Sequence, residues 1–152
     1  MVLHSNHSIN FGNSGYKHYL VMFIIMILSG MLSTMNIWVD KFSDIRFSLN
    51  DLYMILLMTG WMFLFMGIYY MNYIACVCGI ILVVSNIWAI RSQFLVSISQ
   101  YKLGMIPHHS MAIHMSKKLL VSGYNISSKL QEFLKQLIET QSNEIDYLKN
   151  AN

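Results

Sequence analysis

Apolar positions in this chain form two long uncharged runs, followed by a region where they recur at helical spacing. The first run, Tyr19 to Val39, supplies the roughly 20 residues that a helix needs to cross a bilayer core. Tyr16 and Tyr19 at one end and Trp38 at the other suit interfacial positions. The second run, Leu52 to Ile90, would make a helix about 58 Å long, so it is expected to fold into two spans, 52–69 and 73–90. Tyr69, Tyr70, Asn72 and Tyr73 mark the turn between them, and Trp88 and Arg91 close the third span. Between the runs, Asp40 to Asp51 reads as a charged loop outside the membrane.

After Arg91 the pattern changes. Ser92 to Gly104 is an amphipathic linker, and Pro107, whose fixed φ suits a first helical turn, is expected to start a helix running to about Ser122. Gly123 is a candidate left-handed residue beyond that helix, and Asn125 or Ser127 can cap a second helix reaching Lys149. The short connection predicts an antiparallel pair. The expected fold class is therefore all-α: three transmembrane helices followed by an extramembrane antiparallel helical hairpin. Residues 1–17 form a polar, flexible tail, 18–91 a membrane domain and 92–152 the hairpin domain.

Composition supports this reading. The chain is 55% hydrophobic and 11% charged, well under the roughly 25% charge of soluble domains. A net charge of +3, scattered along the chain, excludes a nucleic-acid surface. Cys76 and Cys78 lie in an apolar run and cannot build a disulfide framework. The tail lacks the basic segment of a signal peptide. Lys41, Arg46, Arg91 and Lys102 fall on the hairpin's side against Lys17 on the other, which by the positive-inside rule places the hairpin in the cytoplasm.

Candidate chemistry concentrates at Met105-Ile106-Pro107-His108-His109-Ser110-Met111-Ala112-Ile113-His114-Met115. On a helix His108, Met111 and Met115 stack along one face, with His109 about 100° round from His108. Imidazole and thioether donors suit copper, above all Cu(I). Methionine is also a common core filler, and a histidine on an apolar helix is more often a hydrogen-bonded core residue. Met54, Met58, Met62 and Met66 form a thioether stripe in the second span, for which helix packing is the favoured reading over a metal path. His4, His7 and His18 lie in or beside the tail, where a solvated role is favoured.

The second hairpin helix carries an independent irregularity. Its apolar stripe is Leu130, Leu134, Leu137, Ile145 and Leu148, yet Gln141 falls at about 20° and Glu144 at about 320° from Leu130, inside that stripe. A buried carboxylate needs a partner or a metal. In an antiparallel pair, residue 108 lies level with about 141–144, so the two irregularities meet at the hairpin's open end. The expected ligands are His108, His109, Met105, Met111, Met115 and Glu144, with Gln141 and His114 around them.

These residues carry a resemblance. Met105-Ile106-Pro107-His108-His109, Ala112-Ile113, Met115, Ile138, Gln141, Glu144 and Ile145 resemble the family called domain of unknown function 305. The membrane part, with His18-Tyr19, Val39-Asp40, Asn50, Tyr53-Met54 and Met58, is similar to its membrane-anchored bacterial subgroup. The resemblance implies a ferritin-like helical unit that binds copper or silver, in a bacterial inner membrane with the hairpin extracytoplasmic. Two positions depart from the family: Ile98 stands where an aspartate is frequent, and Leu148 where a methionine is usual.

The expected function is a membrane-anchored copper-binding protein acting in sequestration, tolerance or handover. Its partners are the lipid membrane, the metal ion, and a second copy of the chain or a copper-handling protein. The alternative is a structural membrane protein whose hairpin docks a partner and whose His/Met cluster is core. An enzyme is not expected: a di-iron oxidase wants Glu-x-x-His pairs, and Glu132, Glu139 and Glu144 precede no histidine at that spacing.

Overall fold

The computed structural model describes residues 11–150, with side chains from Lys17 onward. Among these residues every regular element is helical: α1 (Phe11–Leu32), α2 (Leu49–Tyr69), α3 (Tyr73–Ser92), α4 (Ile98–Leu120) and α5 (Ser128–Asn150). Two short 3-10 turns, Met35–Trp38 and Phe42–Asp44, lie between α1 and α2. His4 and His7 fall outside the described residues.

Three stretches, Lys17–Trp38, Leu49–Tyr69 and Tyr73–Ser92, are long and apolar enough to cross a membrane. The first is the least enclosed by protein, with 6% of its most apolar window buried. So large an apolar exterior suits lipid better than water. α1 starts upstream of the expected Tyr19 and takes in residues 11–17 assigned to the tail. It also stops at Leu32, and Ser33–Val39, expected to continue the span, turns away through the first 3-10 segment. The α2 and α3 boundaries fall where the uncharged run predicts. Asn72 caps α3 by accepting from the Ala75 N–H, and Ser48 and Asp51 form a reciprocal capping box at the start of α2.

α2 and α3 pack through small residues, which let the backbones approach closely. A Cβ added at Gly79 would sit 2.5 Å from the Leu64 nitrogen and 2.9 Å from the Gly60 oxygen. Those neighbours are backbone and cannot swing aside. Gly79→Ala should therefore lower stability by roughly 1–3 kcal/mol, read from the unfolding midpoint in detergent; an unchanged midpoint would mean the helices are not this close. The methionine stripe does not converge inward: Met54 and Met58 are each 50% exposed on the outer face of α2.

The sequence expectation for α4 needs correction. Pro107 does not open a helix but lies inside one that starts at Ile98, capped by Ser97. It removes the N–H that would reach the Leu103 carbonyl, an interruption that ordinarily costs about 3 kcal/mol. Its ring is fully buried, so packing offsets part of that loss. The linker, itself expected to be helical, is so from Ile98, and its Ile98–Gly104 part is continuous with the first hairpin helix. Gly123 takes φ 75° beyond its end, and the Ser127 hydroxyl caps α5 by accepting from the Leu130 N–H.

α4 and α5 pack side by side around Ile106, Ile113 and Ile145, with Ile138 and Leu148 at the edge. The α1–α2 loop is clamped onto them. Within it, Asn36 pairs with both backbone groups of Arg46. Asp44, 2% exposed, accepts from Ser110 Oγ at 2.7 Å and from Lys149 Nζ. The Ser110 oxygen in turn accepts from the Asp40 N–H at 2.9 Å, and Lys117 reaches the Asp40 carboxylate at 2.7 Å. Nearer the start of α4, Gln100 accepts from the Leu49 N–H at 2.8 Å. Loop, α4 and α5 meet in one polar junction.

Candidate functional site

α4 turns its buried arc, Ile106, His109, Ser110 and Ile113, toward the loop and α5. Just over two turns of that helix, Tyr101 to His109, and the last two turns of α5 border a pocket of about 520 Å³. Met105, His108 and His109 line one side, and Gln141 and Glu144 the other, with Tyr101, Tyr147 and Leu148 completing it. Four of the six expected ligands are therefore brought together, with Gln141 beside them. Met111, Met115 and His114 do not line the pocket; Met115 is 52% exposed. The helix turns His109 inward with Ile106 and Ile113 and leaves the Met115 side outward.

Glu144 is the hub. Gln141 Nε2 donates to its Oε2 at 3.0 Å, and His109 Nδ1 lies 2.8 Å from the same oxygen. The second contact is close but not aligned as a hydrogen bond, so buried Nδ1 has no partner along its N–H direction. An orphaned imidazole nitrogen beside a carboxylate, in a pocket with a thioether, is a donor set that a soft ion could draw together. The rings of His108 and His109 are 5.9 Å apart and nearly edge-on. His108 is exposed at the mouth, so it is the accessible donor and His109 the seated one. Among the described residues, no three His, Cys, Asp or Glu side chains converge as a ready metal site. The pocket as it stands therefore depends on Met105 sulfur and on adjustment of the two histidines.

Sequence reasoning missed Tyr101 and Tyr147, although each lies at helical spacing from an expected site residue: Tyr101 from Met105, and Tyr147 from Glu144. It also missed the junction one residue away. Burial pushes the Asp44 carboxyl up, but hydrogen bonds from Lys149 and Ser110, with the Lys149 charge, outweigh it and hold it below the ordinary carboxylate range. Through adjacent Ser110, this ionised carboxylate fixes where His109 sits on α4.

Residues 99–152, which contain the whole pocket, match the family described as Domain of unknown function (DUF305). The chain is also 41% identical over 135 residues to an uncharacterized protein of Acanthamoeba polyphaga mimivirus, covering 84% of this chain and 86% of the viral one. This chain belongs to that protein's family. The alignment is too long to be confined to the DUF305 region, so the shared part reaches into the membrane-length helices. No solved structure matches the chain.

Proposed function

We propose that this DUF305 protein is a membrane-anchored binder of Cu(I), with Ag(I) as its close chemical equivalent, that sequesters the ion or hands it on. The observation that carries this is the pocket where Met105, His108 and buried, unaligned His109 face Glu144. Thioether and imidazole favour a soft monovalent ion, whereas zinc prefers thiolate, imidazole and carboxylate in closed tetrahedra. On this reading α1, α2 and α3 cross the bilayer, and the α4–α5 hairpin stands outside it on the side of the 33–48 loop. The resemblance puts that side away from the cytoplasm, against the count of Lys41, Arg46, Arg91 and Lys102. A bacterial inner membrane is likewise an expectation of the resemblance alone, since the 41% identical relative is viral.

The test is a competition titration of the full chain in detergent. Cu(I) and Ag(I) should outcompete Zn(II), His108→Ala with His109→Ala should abolish tight binding, and Met105→Leu should lower the preference. Zinc binding as tight as copper would remove the thioether from the ligand set. A second reading has one observation in its favour: Gln141 already engages Glu144, as in a satisfied core cluster. The hairpin would then serve as a docking surface, and the same titration would find no tight site.

A further inference from the structure

At the far end of the three long helices, beside the α2–α3 turn, lies a larger cavity of about 900 Å³. Two α1 side chains, His18 and Met22, one turn apart on the same face, line it together with Met66 from the last turn of α2 and Met71 from the turn. Tyr and Ile side chains with Asn72 complete the lining, and among the described residues no Asp, Glu, Lys, Arg or Cys takes part. Tyr19 packs edge-on against Phe63 at 6.1 Å, and Phe23 meets the same ring at 6.1 Å. These contacts hold α1 against α2 in the register that puts His18 and Met22 across from Met66.

We infer that His18, Met22 and Met66 form a second soft-cation site, at the opposite end of the membrane unit from the α4–α5 pocket, with Met71, 89% exposed, at its outer rim. Met22 and Met66 are half-buried and border an open cavity rather than a packed core. An imidazole and two thioethers are donors that suit a soft monovalent cation. A divalent ion without an anionic ligand would lose far more hydration energy there. Met54 and Met58, facing outward, do not join the two ends, so the sites are separate. The inference rests on the copper reading only for the identity of the ion.

The test is Ag(I) titration of the full chain in lipid nanodiscs, read as stoichiometry and affinity. The intact protein should bind two equivalents. His108→Ala with His109→Ala should remove one, and the set His18→Gln, Met22→Leu and Met66→Leu should remove the other, each by about tenfold or more in affinity. The Met→Leu exchanges conserve volume, and unchanged helicity and unfolding midpoint confirm a folded variant. If the His18 set leaves Ag(I) binding untouched while the His108 pair abolishes it, the second site is refuted and the proposed function stands. If only the His18 set matters, the second site stands and the α4–α5 pocket falls. A cavity that releases a co-purified lipid in the His18 set, with silver binding unchanged, is a lipid site and overturns the inference.

Discussion

Asp44→Ala should destabilise the folded protein by about 2–4 kcal/mol, among the largest effects of any single substitution outside the spans. Removing one partner of a buried pair leaves the other charge uncompensated, here Lys149, whose side chain is 28% exposed. That residual access to water keeps the cost below the upper limit for fully enclosed pairs. Asp44→Asn should cost less, because the amide can still accept from Ser110. Combining Asp44→Asn with Lys149→Met should recover part of the loss, since no unpaired charge remains. The pH dependence follows from the depressed Asp44 carboxyl. A group held below its unfolded value, about 3.9, contributes its full stability above that value and loses it as pH falls through the folded one. The gap between wild type and Asp44→Asn should therefore be constant near neutrality and close in acid. Unfolding midpoints in detergent across that range check it, and a gap that persists at the acid end would show that charge is not the cause.

Glu144→Gln should weaken Cu(I) binding by about 10–100-fold, and His109→Ala by more. Glu144 lies beside His109 Nδ1 and accepts from Gln141, so its carboxylate holds both side chains at the pocket wall. An amide at position 144 keeps the volume and loses the charge. Met105→Leu should weaken Cu(I) binding, whereas Met115→Leu should leave it unchanged, because only Met105 lines the pocket. If Glu144→Gln instead leaves affinity intact and lowers the melting temperature of the metal-free protein, the His109–Glu144 contact is part of the core. The docking reading would then be favoured.

The contrast between Met105 and Met115 marks how far the sequence was legible. Helical spacing alone puts His108, Met111 and Met115 on one face, and that much is geometry of the isolated helix. Which arc meets α5 is set by packing, and Ile106, Ile113 and Ile145 choose an arc that carries His109 and leaves Met115 outside. The meeting of His109 with Glu144 was readable from the register of the two antiparallel helices, although Glu144, its side chain 45% exposed, is not the buried carboxylate that the apolar stripe implied. The long helices were readable because a water-soluble fold rarely tolerates so long a run without charge, whereas a bilayer core demands it. Pro107 misled, since its helix-start preference is local while its burial against the loop is tertiary. Asp44 gave no signal at all. In sequence it is one acid among several in a charged loop, and its partners Ser110 and Lys149 lie far along the chain.

That junction also has a consequence for biogenesis. Asp44 lies between the first two membrane-length helices, whereas Ser110 and Lys149 follow the third. If those helices cross a bilayer as proposed, the two parts can meet only when they emerge on the same face of it. A chain whose first span entered in reverse, or whose α2–α3 turn failed to return, would leave the loop and the late helices on opposite sides. It would carry an unpaired aspartate and an unseated C-terminal helix. On that reading, the contact between Lys149 and Asp44 forms only in a chain whose earlier helices have threaded correctly.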